Sequence, residues 1–246
     1  MTAQAPVSPS GLRAVLFDLD GTLLHVEMNS FIPAYVQGLA RHFTDFAPRS
    51  RFVDTVIKAT FALLHDDSAA ETNQTLFLRA LERHLGIAPD QFEERLGAYV
   101  QDGMRGLQPL IEPLGLAPDI LELCFARGWT VVIATNPVFP RELVEARLRW
   151  GGLDAYPYHL VTSYENTRFC KPHPGYFRDI LETFDLAPEQ CLMVGNDTEH
   201  DLAAGQVGIP TWLVDTWLVD RLGGGYRYDF RGDHRNLLQF LREAQG

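Results

Sequence analysis

The sequence reads as an α/β protein: a parallel sheet with helices on both faces, plus an all-α module inserted after the first strand. Three observations carry this reading. Five short runs are almost continuously apolar rather than alternating, the pattern of parallel strands buried on both faces. Segments of helical period separate the later runs, giving a βαβ alternation and an open, Rossmann-like sheet. The stretch 25–113 breaks that alternation and holds no comparable run.

The first strand is Ala14–Asp20 (AVLFDLD). Amphipathic helices then follow over Phe31–Phe43, Ser50–Leu64, Glu71–Leu85 and Pro89–Met104. Gly86-Ile87-Ala88-Pro89 is a helix stop followed by a new start, with Pro89 suited to a first turn. Leu107–Gly115, with Pro109 and Pro113, reads as a linker. The remaining strands are Thr130–Asn136, His159–Ser163, Cys191–Asn196 and Pro210–Val214. Their helices are Pro118–Arg127, Arg141–Trp150, Pro174–Phe184 and Glu199–Val207. Gly223-Gly224-Gly225 reads as a flexible break, and Asp233 caps a last helix, His234–Ala244. The expected organisation is a flexible tail (1–10), a core built from 11–24 and 114–246, and a helical module over 25–113.

The chain has 246 residues and a formal net charge of −11, which argues against nucleic acid or an anionic membrane as a main partner. A small anionic substrate remains compatible, since a site can be locally positive. Three cysteines without C-x-x-C spacing give no complete disulfide set and suit a reducing cytoplasm. Residues 1–10 lack the basic and apolar regions of a signal peptide, and no run approaches the ~20 apolar residues of a membrane span. A monomer or homodimer is expected.

Four polar segments fall at predicted strand ends, where open parallel sheets bind ligands. Asp18-x-Asp20-Gly21-Thr22 places two carboxylates close together; an Asp-Gly turn explains Asp20 but not Asp18 inside an apolar run. Two such charges repel unless a cation lies between them or one is protonated. Thr135-Asn136 supplies a hydroxyl and an amide that can donate to an anion, although for the pair taken alone a plain strand exit before Pro137 is the stronger reading. Lys171 is one of two lysines, the other being Lys58, and brings a point charge suited to phosphate. Arg168 is a weaker candidate. Asn196, Asp197 and Asp201 are hard oxygen donors that suit Mg²⁺, although Asp197 also suits a helix cap. Together these residues fit phosphoryl transfer, with a metal ion and a lysine neutralising phosphoryl oxygens while a carboxylate attacks.

On "FDLDGTL", "TN", "KP" and "GND-x-x-x-D", spread from Phe17 to Asp201, the sequence resembles the haloacid dehalogenase superfamily of hydrolases. The resemblance implies Asp18 as nucleophile forming an aspartyl-phosphate, and Asp20 as general acid and base. It implies Thr135 and Lys171 on the phosphoryl oxygens. It implies Mg²⁺ on the Asp18 carboxylate, the Asp20 carbonyl and Asp197, with Asp201 in support. The helical module matches a cap that closes over the site, and His25, Glu27 and Asn29 are candidates to approach on closure. Many members place the acid directly after the glycine, where this chain has Asn196; Asp197 is expected to be the direct ligand. The leading expectation is a Mg²⁺-dependent phosphatase for a small phosphomonoester. A phosphomutase, a dehalogenase-type hydrolase and a non-catalytic phosphate-binding module are the alternatives. Seven arginines of the module (Arg41, Arg49, Arg51, Arg79, Arg83, Arg95, Arg105) are candidates for a second anionic group, and Phe31, Tyr35 and Phe61 are assigned to its core.

Overall fold

In a computed structural model, residues 11–68 and 70–244 are described; the tail expected at 1–10 lies outside them. Six parallel strands form one sheet in the order β5-β4-β1-β6-β7-β8. They are β1 (Ala14–Phe17), β4 (Thr130–Ile133), β5 (Leu160–Val161), β6 (Cys191–Gly195), β7 (Thr211–Val214) and β8 (Phe230–Gly232). The central strand β1 is buried throughout and pairs with β4 on one side and β6 on the other. Alternate residues face opposite ways, so each face packs its own core. Val15 and Phe17 join a cluster with Ile120 and Leu121 of α5 (Ala117–Ala126), Val144 of α6 (Arg141–Trp150) and Leu237 of α8 (His234–Glu243). Ala14 and Leu16 pack on Tyr176, Phe177 and Ile180 of α7 (Pro174–Thr183).

Between β1 and β4 the chain forms α1 (Met28–Leu39), α2 (Arg49–Leu63), α3 (Asn73–Leu85) and α4 (Pro89–Asp102). Their stops follow local chemistry. Gly86 takes φ +69 after α3, and Pro89 opens α4. The chain enters and leaves this segment through β2 (Leu24–Val26) and β3 (Ile111–Pro113), an antiparallel pair with Leu24 opposite Pro113. These two strands were not expected. Each is three residues long, too short to show a period, and β3 replaces much of the predicted linker.

Other differences are local. The first helix of this segment ends a turn early, at Leu39, and the fourth ends slightly early, at Asp102, each followed by a tighter 3₁₀ stretch, Ala40–Phe43 and Met104–Leu110. The predicted helix Glu199–Val207 is instead a turn followed by a 3₁₀ stretch, Leu202–Val207. Strand β8 was missed because its FRG sequence is short and half-exposed at the sheet edge.

Candidate active site

The C-terminal ends of β1, β4 and β6 lie side by side, which brings the predicted segments together. β1 stops at Phe17, so Asp18 begins the turn; its N–H donates to Val194 O at 2.9 Å, keeping it aligned with β6. Lys171 Nζ donates to Asp18 Oδ1 at 2.8 Å and to Asp201 Oδ1 at 2.6 Å. All three side chains are buried. Burial disfavours the Lys171 ammonium, but Asp18 and Asp201 outweigh it and hold the pKa above the ordinary lysine value. Burial pushes Asp201 up, with Lys171 pulling in the opposite direction. Asp201 Oδ2 also accepts from Asp197 N at 2.9 Å. This carboxylate lies over Gly195, where a Cβ would sit 2.2 Å from Asp201 Cγ. Glycine is therefore required there for close packing.

Asp20 faces the other way and pairs with Arg147 of α6, whose side chain is fully buried. The guanidinium lies 4.9 Å from the Phe139 ring centre and 5.8 Å from that of Phe31. Burial raises the Asp20 pKa, Arg147 opposes it, and Asp18 raises it further; the net position is above the usual carboxylate range. Asp20 Oδ1 is buried without a partner. Sequence reading missed Arg147, yet a signal was present. It sits four residues after Leu143 and three after Val144, a charge on the buried stripe of an amphipathic helix.

Thr135 is buried and lines the cavity above the site. Asn136 lines it too, but its amide is engaged. Nδ2 donates to Lys171 O at 3.3 Å and Oδ1 accepts from Lys171 N at 3.2 Å. In this arrangement Asn136, expected as an anion donor, ties down the backbone that carries Lys171. Arg168 pairs with Asp179 instead of entering the site.

The fourth segment also differs from expectation. Asp197 Oδ1 accepts from Glu199 N and His200 N, both at 3.0 Å, and Oδ2 accepts from Arg221 Nε at 2.5 Å. Burial opposes its ionisation, but His200 and Arg221 prevail and hold its pKa below the usual carboxylate range. Asp197, expected as the direct metal ligand, here caps a turn and pairs with Arg221. Asn196 lies closer to Asp18: Thr22 Oγ1 stands 3.4 Å from Asp18 Oδ2 and 3.5 Å from Asn196 Oδ1. At Gly21, with φ +85, a Cβ would sit 2.2 Å from Asn196 Nδ2, so only glycine admits this approach. Among the described residues, no group of three or more His, Cys, Asp or Glu is arranged to hold a metal. Asp18 Oδ2 and Asn196 Oδ1, each met only by the long contact from Thr22, nonetheless fit a hard cation.

The segment after β7 forms a wall of the cavity. Asn196 Nδ2 donates to Trp217 O at 2.6 Å, Val219 N to Asn196 O at 2.9 Å, and Trp217 stacks on His25 at 4.6 Å. The predicted glycine break is thus preceded by an ordered contact with the site.

A family model described as haloacid dehalogenase-like hydrolase matches residues 12–208. The chain belongs to this family. It is 25% identical over 240 residues to pyrophosphatase PpaX of Bacillus mycoides (strain KBAB4), covering 96% of this chain and 99% of that protein. Its fold resembles a HAD phosphatase from Thermococcus onnurineus (TM-score 0.57, 20% identity, 96% of this chain and 100% of that one). It also resembles the L-2-haloacid dehalogenase from Xanthobacter autotrophicus (TM-score 0.55, 18% identity, 94% of this chain and 98% of that one). The parallel α/β sheet and the hydrolase class follow from this membership. No helix among the described residues is long and apolar enough to cross a membrane.

Proposed function

We propose that this hydrolase is a Mg²⁺-dependent phosphatase acting on a small phosphomonoester. The observation that carries the reading is the Asp18 carboxylate, held by Lys171 at 2.8 Å at the floor of an open cavity, with a second acid two residues on. Asp18 attacks phosphorus; the new P–O bond forms as the bond to the leaving oxygen breaks. Asp20 gives its proton to that oxygen, and its raised pKa suits the task. In the second step water attacks the aspartyl-phosphate, Asp20 takes its proton, and inorganic phosphate leaves. Arg147 holds Asp20 in place, and Asn136 holds Lys171. Asp18, Asn196 and the Asp20 carbonyl would hold Mg²⁺, which when bound neutralises phosphoryl oxygens. The name of the Bacillus relatives, a pyrophosphatase, supports phosphoryl chemistry. Dehalogenation requires no such proton donor, and the buried Asp20–Arg147 pair favours the phosphatase reading over it. Three free, buried cysteines suit a reducing cytoplasm. A screen of phosphorylated metabolites with and without Mg²⁺ tests the proposal: turnover should need the metal, and inactivity across the whole panel would overturn it.

A further inference from the structure

The cavity above Asp18 has a volume of about 690 Å³, far larger than a phosphoryl group needs and within the range of small-molecule sites. Its floor and walls differ in chemistry. Carboxylates, Thr135 and Asn196 line the floor. The helical segment contributes Ile32, Val36, Val56, Ile57, Leu64 and Phe77, together with further apolar and aromatic groups, and no Lys or Arg; His25, stacked on Trp217, Asn29 and Thr60 are among its polar groups here. The opposite wall adds Val138, Phe139, Leu218 and Val219.

The seven arginines that were candidates for a second anion are absent from this lining. Arg49 donates to Gln37 O and Arg51 to His84 O, while Arg95 pairs with Asp45 and Arg79 with Glu71. Arg221 is the one arginine on the cavity, and Asp197 neutralises it. Glu27 adds a negative charge at the wall. A second phosphate or a carboxylate on the leaving group would therefore lose its water without meeting a lysine or an unpaired arginine. Tyr35 is in the core as expected and also borders the cavity, whereas Phe61, assigned to the core, lines the cavity and is 59% exposed. Phe61, Ile32 and Val219 are all exposed large apolar residues, and all three border this cavity. Core packing does not account for them; an apolar guest does.

We propose that the leaving group of the substrate is an apolar alcohol, aliphatic or aromatic, seated among these side chains, so that the preferred substrate is its monophosphate ester rather than pyrophosphate or a carboxylate-bearing ester. This rests on the phosphatase reading, and the two are separable by experiment. Hydrolysis of acetyl phosphate, which leaves the apolar wall empty, reports the chemistry alone; its absence counts against the phosphatase reading. Calorimetry of the Mg²⁺-loaded protein with n-alkylphosphonates from ethyl to octyl reports the wall alone, whatever the turnover. Affinity should rise about fourfold per methylene that enters, and kcat/KM for n-alkyl phosphates should rise in parallel. Phe61→Asp and Ile32→Asp, at exposed positions that a charge leaves foldable, should flatten both series. Affinity independent of chain length, or a higher kcat/KM for pyrophosphate or phosphoglycolate than for octyl phosphate, would overturn the proposal.

Discussion

Replacing Arg147 by methionine tests the least expected contact of the site. The substitution keeps much of the side-chain volume but removes the cation from a position with no exposure, leaving Asp20 buried without its partner. Breaking a buried pair from one side costs about 3–5 kcal/mol. The cation–π contacts with Phe139 and Phe31 add about 0.5–2 kcal/mol to the loss. The variant has a distinct pH signature. Without Arg147, burial and Asp18 both act to raise the Asp20 pKa, so the folded state favours the protonated acid. An acid with a raised folded pKa costs nothing below its unfolded value near 4 and costs progressively more as pH climbs towards the folded pKa. Urea unfolding should therefore show a larger deficit at pH 8 than at pH 5. Activity should fall through kcat more than KM, by up to the ~10²–10⁴-fold of a lost general acid. Arg147→Lys should restore part of the stability and less of the rate, since an ammonium cannot reproduce the fork. A methionine variant as stable as the parent at both pH values would refute the buried pair.

Four further outcomes follow. Asp18→Asn should abolish turnover while the thermal melt stays cooperative, because Lys171 keeps Asp201 as a partner; residual turnover would remove Asp18 as nucleophile. Lys171→Met should cost about 3–5 kcal/mol in urea unfolding, since two buried carboxylates lose their shared cation. Gly21→Ala should destabilise by about 1–3 kcal/mol, through the positive φ and the clash with Asn196, and should lower activity. Burial depresses the pKa of His234, whose Nε2 lies 2.7 Å from Thr22 O. The stability this provides is complete above the unfolded value near 6.5 and is lost as pH falls through the folded value, so His234→Gln should flatten the acid side of the stability profile.

The strands most legible in the sequence were those buried on both faces. "AVLF", "TVVI" and "CLMVG" carry no alternation to confuse them, and the helices between them kept their period. What escaped was short or marginal: β2, β3 and β8 of three residues each. The convergence of Asp18, Lys171 and Asp201 was readable because all lie at or after strand ends. The partner of Asp197 was not, because Arg221 lies 24 residues away in a segment without periodicity. The tie between Asn136 and the Lys171 backbone escaped for a related reason. An amide at a strand exit has the same sequence whether it binds a ligand or a neighbouring backbone.

The β2–β3 pair bears on how the cavity opens. Both crossings between the sheet and the four helices run through one hydrogen-bonded ribbon, so the helices are tethered by a single joint rather than by two independent cords. The helices are pinned at a second place, because Asn73 N donates to Thr167 O at 2.9 Å and Gln74 N to Tyr164 O at 2.8 Å. The ribbon also touches the far wall, because His25 on β2 stacks on Trp217. A wider mouth therefore costs the start of α3 its bonds to the loop after β5, and the His25–Trp217 stack ties the two sides of the mouth to each other.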